Sequence, residues 1–307
     1  MKVMNPTSTC YYPSMRIAHL SDLHLFPEGA LWTSGMFNRR LLGAFNLVLV
    51  RNGVHSIDVA RAAVREVVEQ KVDHTVITGD LTNLALESEF RLASEVLAPL
   101  GGYERLTIVP GNHDYYAPVA VHAGAFERWF GPTLWGKDGK SGEWPVVKDQ
   151  GDIVLVAVRT AMIPPVTRAW GLVGKDQLLK IRRVIDEARG QGKDTLVFMH
   201  HNLHHRGFVQ EKLGRLVDKS EAAEMLADAG ATLVLHGHDH REHEMVLTGE
   251  RGEGAGTLVV GCGSTTTGLS GRGRPGRFNI YTIEDGNVGI ERWRYLASQK
   301  RFLPLAE

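Results

Sequence analysis

The stretch ATLVLHGHDHREH, Ala231 to His243, joins a short apolar run to a corner holding four histidines. Apolar runs of this length, bounded by turn residues, suit a strand buried on both faces. The polar corner then falls at the strand's carboxyl end. The same grammar recurs upstream. RIAHLSDLH (16–24), VDHTVITGD (72–80), LTIVPGNHD (106–114) and TLVFMHH (195–201) each run from apolar residues into Asp, Asn or His. Open α/β sheets collect ligands outside the carboxyl ends of their strands. Asp22, Asp80, Asn112, His200 and His238 therefore predict one converging site.

Between these runs the periodicity is helical. Ser56 is placed to cap a helix that buries Ile57, Ala60, Val64, Val67 and Val68. A second helix spans Leu86–Leu97 and stops before Pro99. A third covers Lys175–Ala188 with Leu178, Leu179, Ile181, Ile185 and Ala188 inward, and a fourth Ser220–Ala229. Beyond the histidine corner, strands at Met245–Thr248, Thr257–Val260, Arg277–Ile283 and Val288–Tyr295 follow one another through Gly-rich turns. The expectation is one α/β domain over 1–307, with two packed sheets covered by helices. Residues 245–295 are expected to form a β-rich part of the second sheet.

Lys plus Arg equals Asp plus Glu, 35 each, which predicts no dedicated nucleic-acid surface. Only Cys10 and Cys262 occur, which fits a reducing compartment rather than a disulfide scaffold. MKVMNPTSTCYYPSMR lacks the apolar core of a signal peptide, so a cytoplasmic chain is expected. Trp32 to Asn52 inserts apolar residues flanked by Arg39, Arg40 and Arg51 beside the first polar corner. A lid, an element touching a membrane or a lipid-linked substrate, and plain packing are all compatible with it.

The donors themselves are carboxylate, amide and imidazole without thiolate. That set suits Mn, Fe or Zn. It is too large for one four-coordinate ion and matches two ions about 3.5–4 Å apart. Asp and Asn are favoured in turns anyway, but turns do not call for histidines in this order.

The ordered set D-x-H (Asp22, His24), G-D (Asp80), G-N-H-D (Asn112, His113, Asp114), His200 and G-H-x-H (His238, His240) resembles the calcineurin-like metallophosphoesterase superfamily. The resemblance implies a four-layer αββα sandwich of two mixed β-sheets flanked by helices. It implies Asp22, His24 and His240 on one metal, Asn112, His200 and His238 on the other, and Asp80 between them. His113 would act on the phosphate as catalytic acid or charge stabiliser, with a metal-held hydroxide attacking phosphorus. Asp114 would orient a neighbour.

Protein phosphatases of this superfamily follow the bridging Asp with V-D-R-G, whereas Asp80 precedes Leu-Thr-Asn. UDP-diacylglucosamine hydrolases typically carry Arg where this chain has His113. The layout is similar to bacterial class III cyclic-nucleotide phosphodiesterases, including Gly171 to Leu178 and the pair His200–His201. A phosphodiesterase acting on a small phosphoester, with a nucleotide as one candidate, is the expectation. A pyrophosphohydrolase of nucleotide-linked lipid or sugar, and a non-enzymatic scaffold, are the alternatives. His201 is expected to line the pocket, with His204 and His205 in a loop, His236 in packing and His243 in solvent. His19 is expected in the core, and His55, His74 and His122 at the surface or in packing. Arg272, Arg274 and Arg277 either grip phosphate or form a solvated turn. Cys262 is expected to be small and buried.

Overall fold

The computed structural model describes residues 14–27, 55–136, 142–163, 168–249, 256–267 and 274–305. The insertion 32–52, Cys10 and Arg272 lie outside the described residues. Strand β1 (Met15–Leu20) leads to α1 (Ile57–Glu69), β2 (His74–Ile77), α2 (Glu87–Leu97) and β3 (Leu106–Ile108). Helices α3 (Pro118–His122) and α4 (Ala125–Trp135) follow, then β4 (Val146–Asp149) and β5 (Ile153–Ala157). Next come α5 (Lys175–Gly190), β6 (Asp194–Phe198), α6 (Phe208–Gly214), α7 (Lys219–Ala229) and β7 (Leu233–His236). Five strands close the described chain: β8 (Glu242–Leu247), β9 (Thr257–Cys262), β10 (Arg277–Glu284), β11 (Asn287–Leu296) and β12 (Arg301–Pro304).

Two six-stranded sheets result, ordered β12-β11-β10-β1-β2-β3 and β4-β5-β6-β7-β9-β8. Both are mixed: the first runs antiparallel from β12 to β1 and parallel from β1 to its edge β3, and the second has a parallel centre (β5-β6-β7-β9) with antiparallel edges β4 and β8. One apolar core runs from α1, α2 and α4 through the first sheet to Leu155, Phe198, Leu235 and Val260 of the second. The alternate residues Val156, Val197, Val234 and Val259 face α5 and α7, meeting Ile181, Ile185, Ala222 and Leu226. That alternation is the period of two expected along a strand, and it makes the four layers. At one side Lys148 on β4 donates to the carbonyls of Tyr103 (2.6 Å), Leu106 (3.1 Å) and Thr133 (2.7 Å), tying the edges of the two sheets.

The C-terminal strands divide differently from expectation. Glu242–Leu247 and Thr257–Cys262 join the second sheet, but β10, β11 and β12 return to the first, where β10 pairs antiparallel with β1. The Gly-rich turns show where strands end and carry nothing about which sheet receives the next one. Ser56 does cap α1, its side chain accepting from Val59 N. Val68 and Leu179 are exposed rather than inward, each lying beyond the stripe its helix buries. Pro99 does not end the helical run abruptly, because a 3-10 turn, Ala98–Leu100, accommodates it. Helices α3, α4 and α6 and strands β4 and β12 have no counterpart in the sequence reading. Cys262 is buried, its thiol pushed up by burial. No helix among the described residues is long and apolar enough to cross a membrane.

His19 and His74 are wholly buried. His19 Nε2 lies 2.8 Å from Thr78 Oγ1, and His74 Nδ1 donates to the Glu104 carbonyl (3.0 Å). Burial pushes both rings down to about 3. A histidine depressed in the fold but ordinary in the unfolded chain binds more protons when unfolded. Stability therefore rises with pH through that window and is lost as pH falls from about 6.5 toward 3. Urea unfolding across that range should show this slope, and His74→Gln should flatten it by up to about 1.4 kcal/mol per pH unit. An unchanged slope would mean His74 charges without cost. Phe198→Ala, which empties the space between the sheets, should cost about 3–5 kcal/mol of unfolding free energy.

Candidate metal centre

The five parallel strands β1, β2, β3, β6 and β7 release the chain on one edge of the sandwich. The loops they feed are cross-bonded through the backbone. Asp22 N donates to Gly79 O (3.0 Å), His24 N to Asp80 O (2.9 Å) and Gly237 N to His200 O (3.1 Å). The two sheets are then stitched across the site: His238 N–H reaches the Asp22 carboxylate (3.1 and 3.2 Å), and His200 Nδ1 donates to Thr78 O (2.7 Å). Glycines make this approach feasible. A Cβ on Gly111 would sit 2.1 Å from Asp80 Oδ1, and one on Gly237 1.9 Å from Ser21 Oγ.

The structure brings the seven sequence-predicted ligands together, in two groups that share Asp80. In one, His24 Nε2 is 3.2 Å from His240 Nε2 and 3.6 Å from Asp80 Oδ2, and His240 Nε2 is 3.5 Å from Asp22 Oδ1. In the other, His200 Nε2 is 3.1 Å from Asn112 Oδ1, 3.2 Å from His238 Nδ1 and 3.5 Å from Asp80 Oδ1. Two donors bound to one ion at 2.0–2.2 Å stand roughly 3–3.4 Å apart, so both groups have the size of a coordination shell.

Tautomers strengthen this reading. A backbone carbonyl only accepts, so the ring nitrogen facing it carries the proton. His24 Nδ1 faces Thr82 O (3.3 Å), His200 Nδ1 faces Thr78 O, and His238 Nε2 faces Gly214 O (2.9 Å). Arg206 Nη2 also lies 3.2 Å from His238 Nε2, but it donates to the same Gly214 carbonyl. In the neutral rings the opposite nitrogens present lone pairs, and these are the atoms that meet one another and the Asn112 oxygen. Facing lone pairs repel unless a cation or a second ring proton lies between them. Mixed oxygen and imidazole donors fit a pair of borderline ions, and the residues present fit such a pair.

The local electrostatics agree. Asp22 and Asp80 are both buried. Burial raises Asp22 above the usual carboxylate range against the pull of His240 and His200. Burial also opposes charge on Asp80, but His200 and His113 outweigh it and draw this carboxyl down. His200 is disfavoured by burial and raised overall by Asp80 and Asp22. The pocket thus seeks positive charge.

Backbone strain concentrates at the same place. Asp22, His24, Asp80, His238 and His240 all adopt left-handed φ, from 46° to 73°. Such conformations cost about 1–3 kcal/mol each outside glycine. Asp114 is buried and accepts from Gly111 N (2.9 Å), Thr82 N (3.0 Å) and Thr82 Oγ1 (3.0 Å), fastening the Asn112 loop to the Asp80 loop. Burial and the neighbouring Asp80 push it up to about 7.

His113 N donates to Asp80 Oδ1 (2.8 Å), and its Nδ1 donates to Asn83 O (2.8 Å), which orients the ring over the shared carboxylate. Its centroid is 4.9 Å from that of His24. His201 does not line the pocket. It is buried, with Nδ1 2.8 Å from Thr160 Oγ1 and Nε2 3.2 Å from Ala169 O, and it packs behind the His238 ring. Arg277 neither grips phosphate nor sits in a solvated turn, being buried and paired with Glu242. His55 belongs to the site instead. Its ring lies 4.7 Å from His24 and 5.6 Å from His240, with Nδ1 2.7 Å from Thr266 Oγ1. No motif surrounds it; its position one residue before the Ser56 cap was the single available signal.

A family model described as calcineurin-like phosphoesterase matches residues 15–242. A dimetal phosphatase from Danio rerio superposes with a TM-score of 0.62 at 12% identity, covering 96% of this chain and 99% of that one. A purple acid phosphatase from yellow lupin (Lupinus luteus) seeds superposes with a TM-score of 0.59 at 13% identity, covering 95% of this chain and 54% of that one. This chain thus spans about half the length of the lupin enzyme. At these identities the likeness is one of fold. No curated protein matches the chain in sequence. The matched span carries the strand-end donors from Asp22 to His240, and the chain belongs to the calcineurin-like phosphoesterase family.

Proposed function

We propose that this chain is a two-metal phosphodiesterase acting on a small phosphoester, with a nucleotide-type diester as the substrate class. The observation that supports this most is the pair of donor groups sharing Asp80, with His113 hydrogen-bonded to that same carboxylate. In this reading Asp22, His24 and His240 hold one ion, Asn112, His200 and His238 the other, and Asp80 bridges. When bound, such a pair supplies Lewis-acid polarisation of phosphoryl oxygens and lowers the pKa of water.

The chain's own residues do the rest. The Asn83 carbonyl keeps the proton on His113 Nδ1, so Nε2 is the atom that exchanges a proton with the leaving oxygen. The Asp80 carboxylate, drawn down by its histidine neighbours, stays ionised and available to both ions. The Asp114 clasp fixes the loop that carries Asn112 and His113. Diester preference is supported by the segment after Asp80. Leu81, Thr82 and Asn83 are buried, Thr82 Oγ1 donates to Asp114, and Asn83 Nδ2 donates to His24 O (2.8 Å). That loop contributes no cation for the second negative charge of a monoester.

With Mn or Zn supplied, bis-p-nitrophenyl phosphate should be cleaved with higher kcat/KM than p-nitrophenyl phosphate. The reverse order would replace the diester reading with a monoesterase. His113→Ala should lower kcat by roughly 10²–10⁴ on a 2′,3′-cyclic nucleotide, whose alkoxide leaving group needs a proton. The loss should be smaller on bis-p-nitrophenyl phosphate, whose leaving group departs unprotonated. Equal losses on both would assign His113 to charge stabilisation, and no loss would remove it from the reaction.

A further inference from the structure

Three histidines outside the Asp80-centred groups gather at the edge of the second sheet. His236 ends β7, His204 follows β6, and His243 lies on β8, the edge strand. One ring nitrogen from each lies within 4.8 Å of the others. Each ring also keeps a buried nitrogen without a hydrogen-bond partner: His204 Nδ1, His236 Nε2 and His243 Nδ1. Leaving a buried polar atom unpaired is costly, and three such atoms in one place call for a common partner.

The rings are prepared to offer lone pairs. His236 Nδ1 donates to Gly237 O (3.0 Å), which leaves Nε2 as the lone-pair nitrogen. Asp239 Oδ2 lies 2.6 Å from His204 Nε2, while Asp239 Oδ1 accepts from Arg206 Nη1 (2.6 Å). The contact lacks hydrogen-bond alignment and acts on the ring through charge, drawing the imidazole proton to Nε2 and leaving Nδ1 with its lone pair. The ring of His236 is also given room by a glycine. A Cβ on Gly261 would stand 2.6 Å from His236 Cε1 and 3.1 Å from Nε2.

We propose that His204, His236 and His243 form a third, mononuclear site for a borderline divalent cation of the zinc class, separate from the Asp80-centred pair. Three imidazoles and a water would complete a tetrahedral shell. Donors in that shell stand roughly 3.4 Å apart, so the cluster must contract. His204 and His243 are stacked, with centroids 3.6 Å apart and planes 8° apart. Rings sharing an ion converge edge-on, so His243 must rotate about its side-chain torsions. Its place on an edge strand permits this. The bound ion pins β8 to the loop after β6.

The test is metal content of the full chain, loaded with Zn²⁺, cleared of excess by gel filtration and counted by plasma mass spectrometry. Wild type should retain about three ions per chain, and His243→Gln and His204→Gln one fewer each. Both variants should keep bis-p-nitrophenyl phosphate turnover, which also reports that they fold. Asp80→Asn, which dismantles the pair, should still hold the third ion and lose it when combined with His243→Gln. A wild type whose content is unchanged by either histidine substitution would overturn the site. So would loss of every ion together with turnover in both variants. If the Asp80-centred pair were absent but one ion depended on His243, the third site would stand and the phosphodiesterase reading would fall.

Discussion

Lone pairs that face one another inside a protein need a cation, and this requirement organises the molecule. His200 Nε2, His238 Nδ1 and Asn112 Oδ1 meet within 3.2 Å across the two sheets, and the proton of each histidine is committed to a backbone carbonyl. Every feature that brings these atoms together works against local preference. Five non-glycine residues of the site hold left-handed φ. The carboxylates of Asp22, Asp80 and Asp114 are buried side by side. Loops approach so closely that a methyl group on Gly111 or Gly237 would collide with its neighbour. Strain of this kind persists where the surrounding structure over-determines it and clusters at functional sites.

The over-determination is visible in the sandwich. Parallel strands buried on both faces deliver their ends to one edge, and backbone bonds lock the loops in pairs: Asp22 with Gly79, His24 with Asp80, Gly237 with His200. The inter-sheet core then sets how far apart the two halves of the donor set stand. Leu155, Phe198 and Leu235 belong to the same apolar cluster as the helices on the far side of the first sheet. Packing and site geometry are therefore one constraint.

Much of this was legible in the sequence, for a physical reason. A strand buried on both faces must be apolar until it ends, so Asp22, Asp80, Asn112, His200 and His238 stand out as the first polar residues past their runs. Their convergence follows from topology alone. What was not legible depends on contacts between distant segments. His55 approaches His24 only because its backbone bridges Thr267, more than two hundred residues away. His201 looked like a pocket residue because it follows His200, yet Thr160 and Ala169 take both its nitrogens. Val68 and Leu179 satisfy a helical period, but burial is decided by what lies opposite, which the period does not encode. His204, His236 and His243 read as loop, packing and solvent one at a time. They become a cluster through the pairing of β8 with β9 and of β7 with β9.

The central claim is that the strand-end donors form one two-metal centre bridged by Asp80. Anomalous X-ray scattering from crystals grown with Mn or Zn, collected across the metal edge, tests it most directly. Two peaks are expected about 3.5–4 Å apart on either side of the Asp80 carboxylate. One should lie against Asp22, His24 and His240, and the other against Asn112, His200 and His238. A single peak there, or none at full loading, would contradict it.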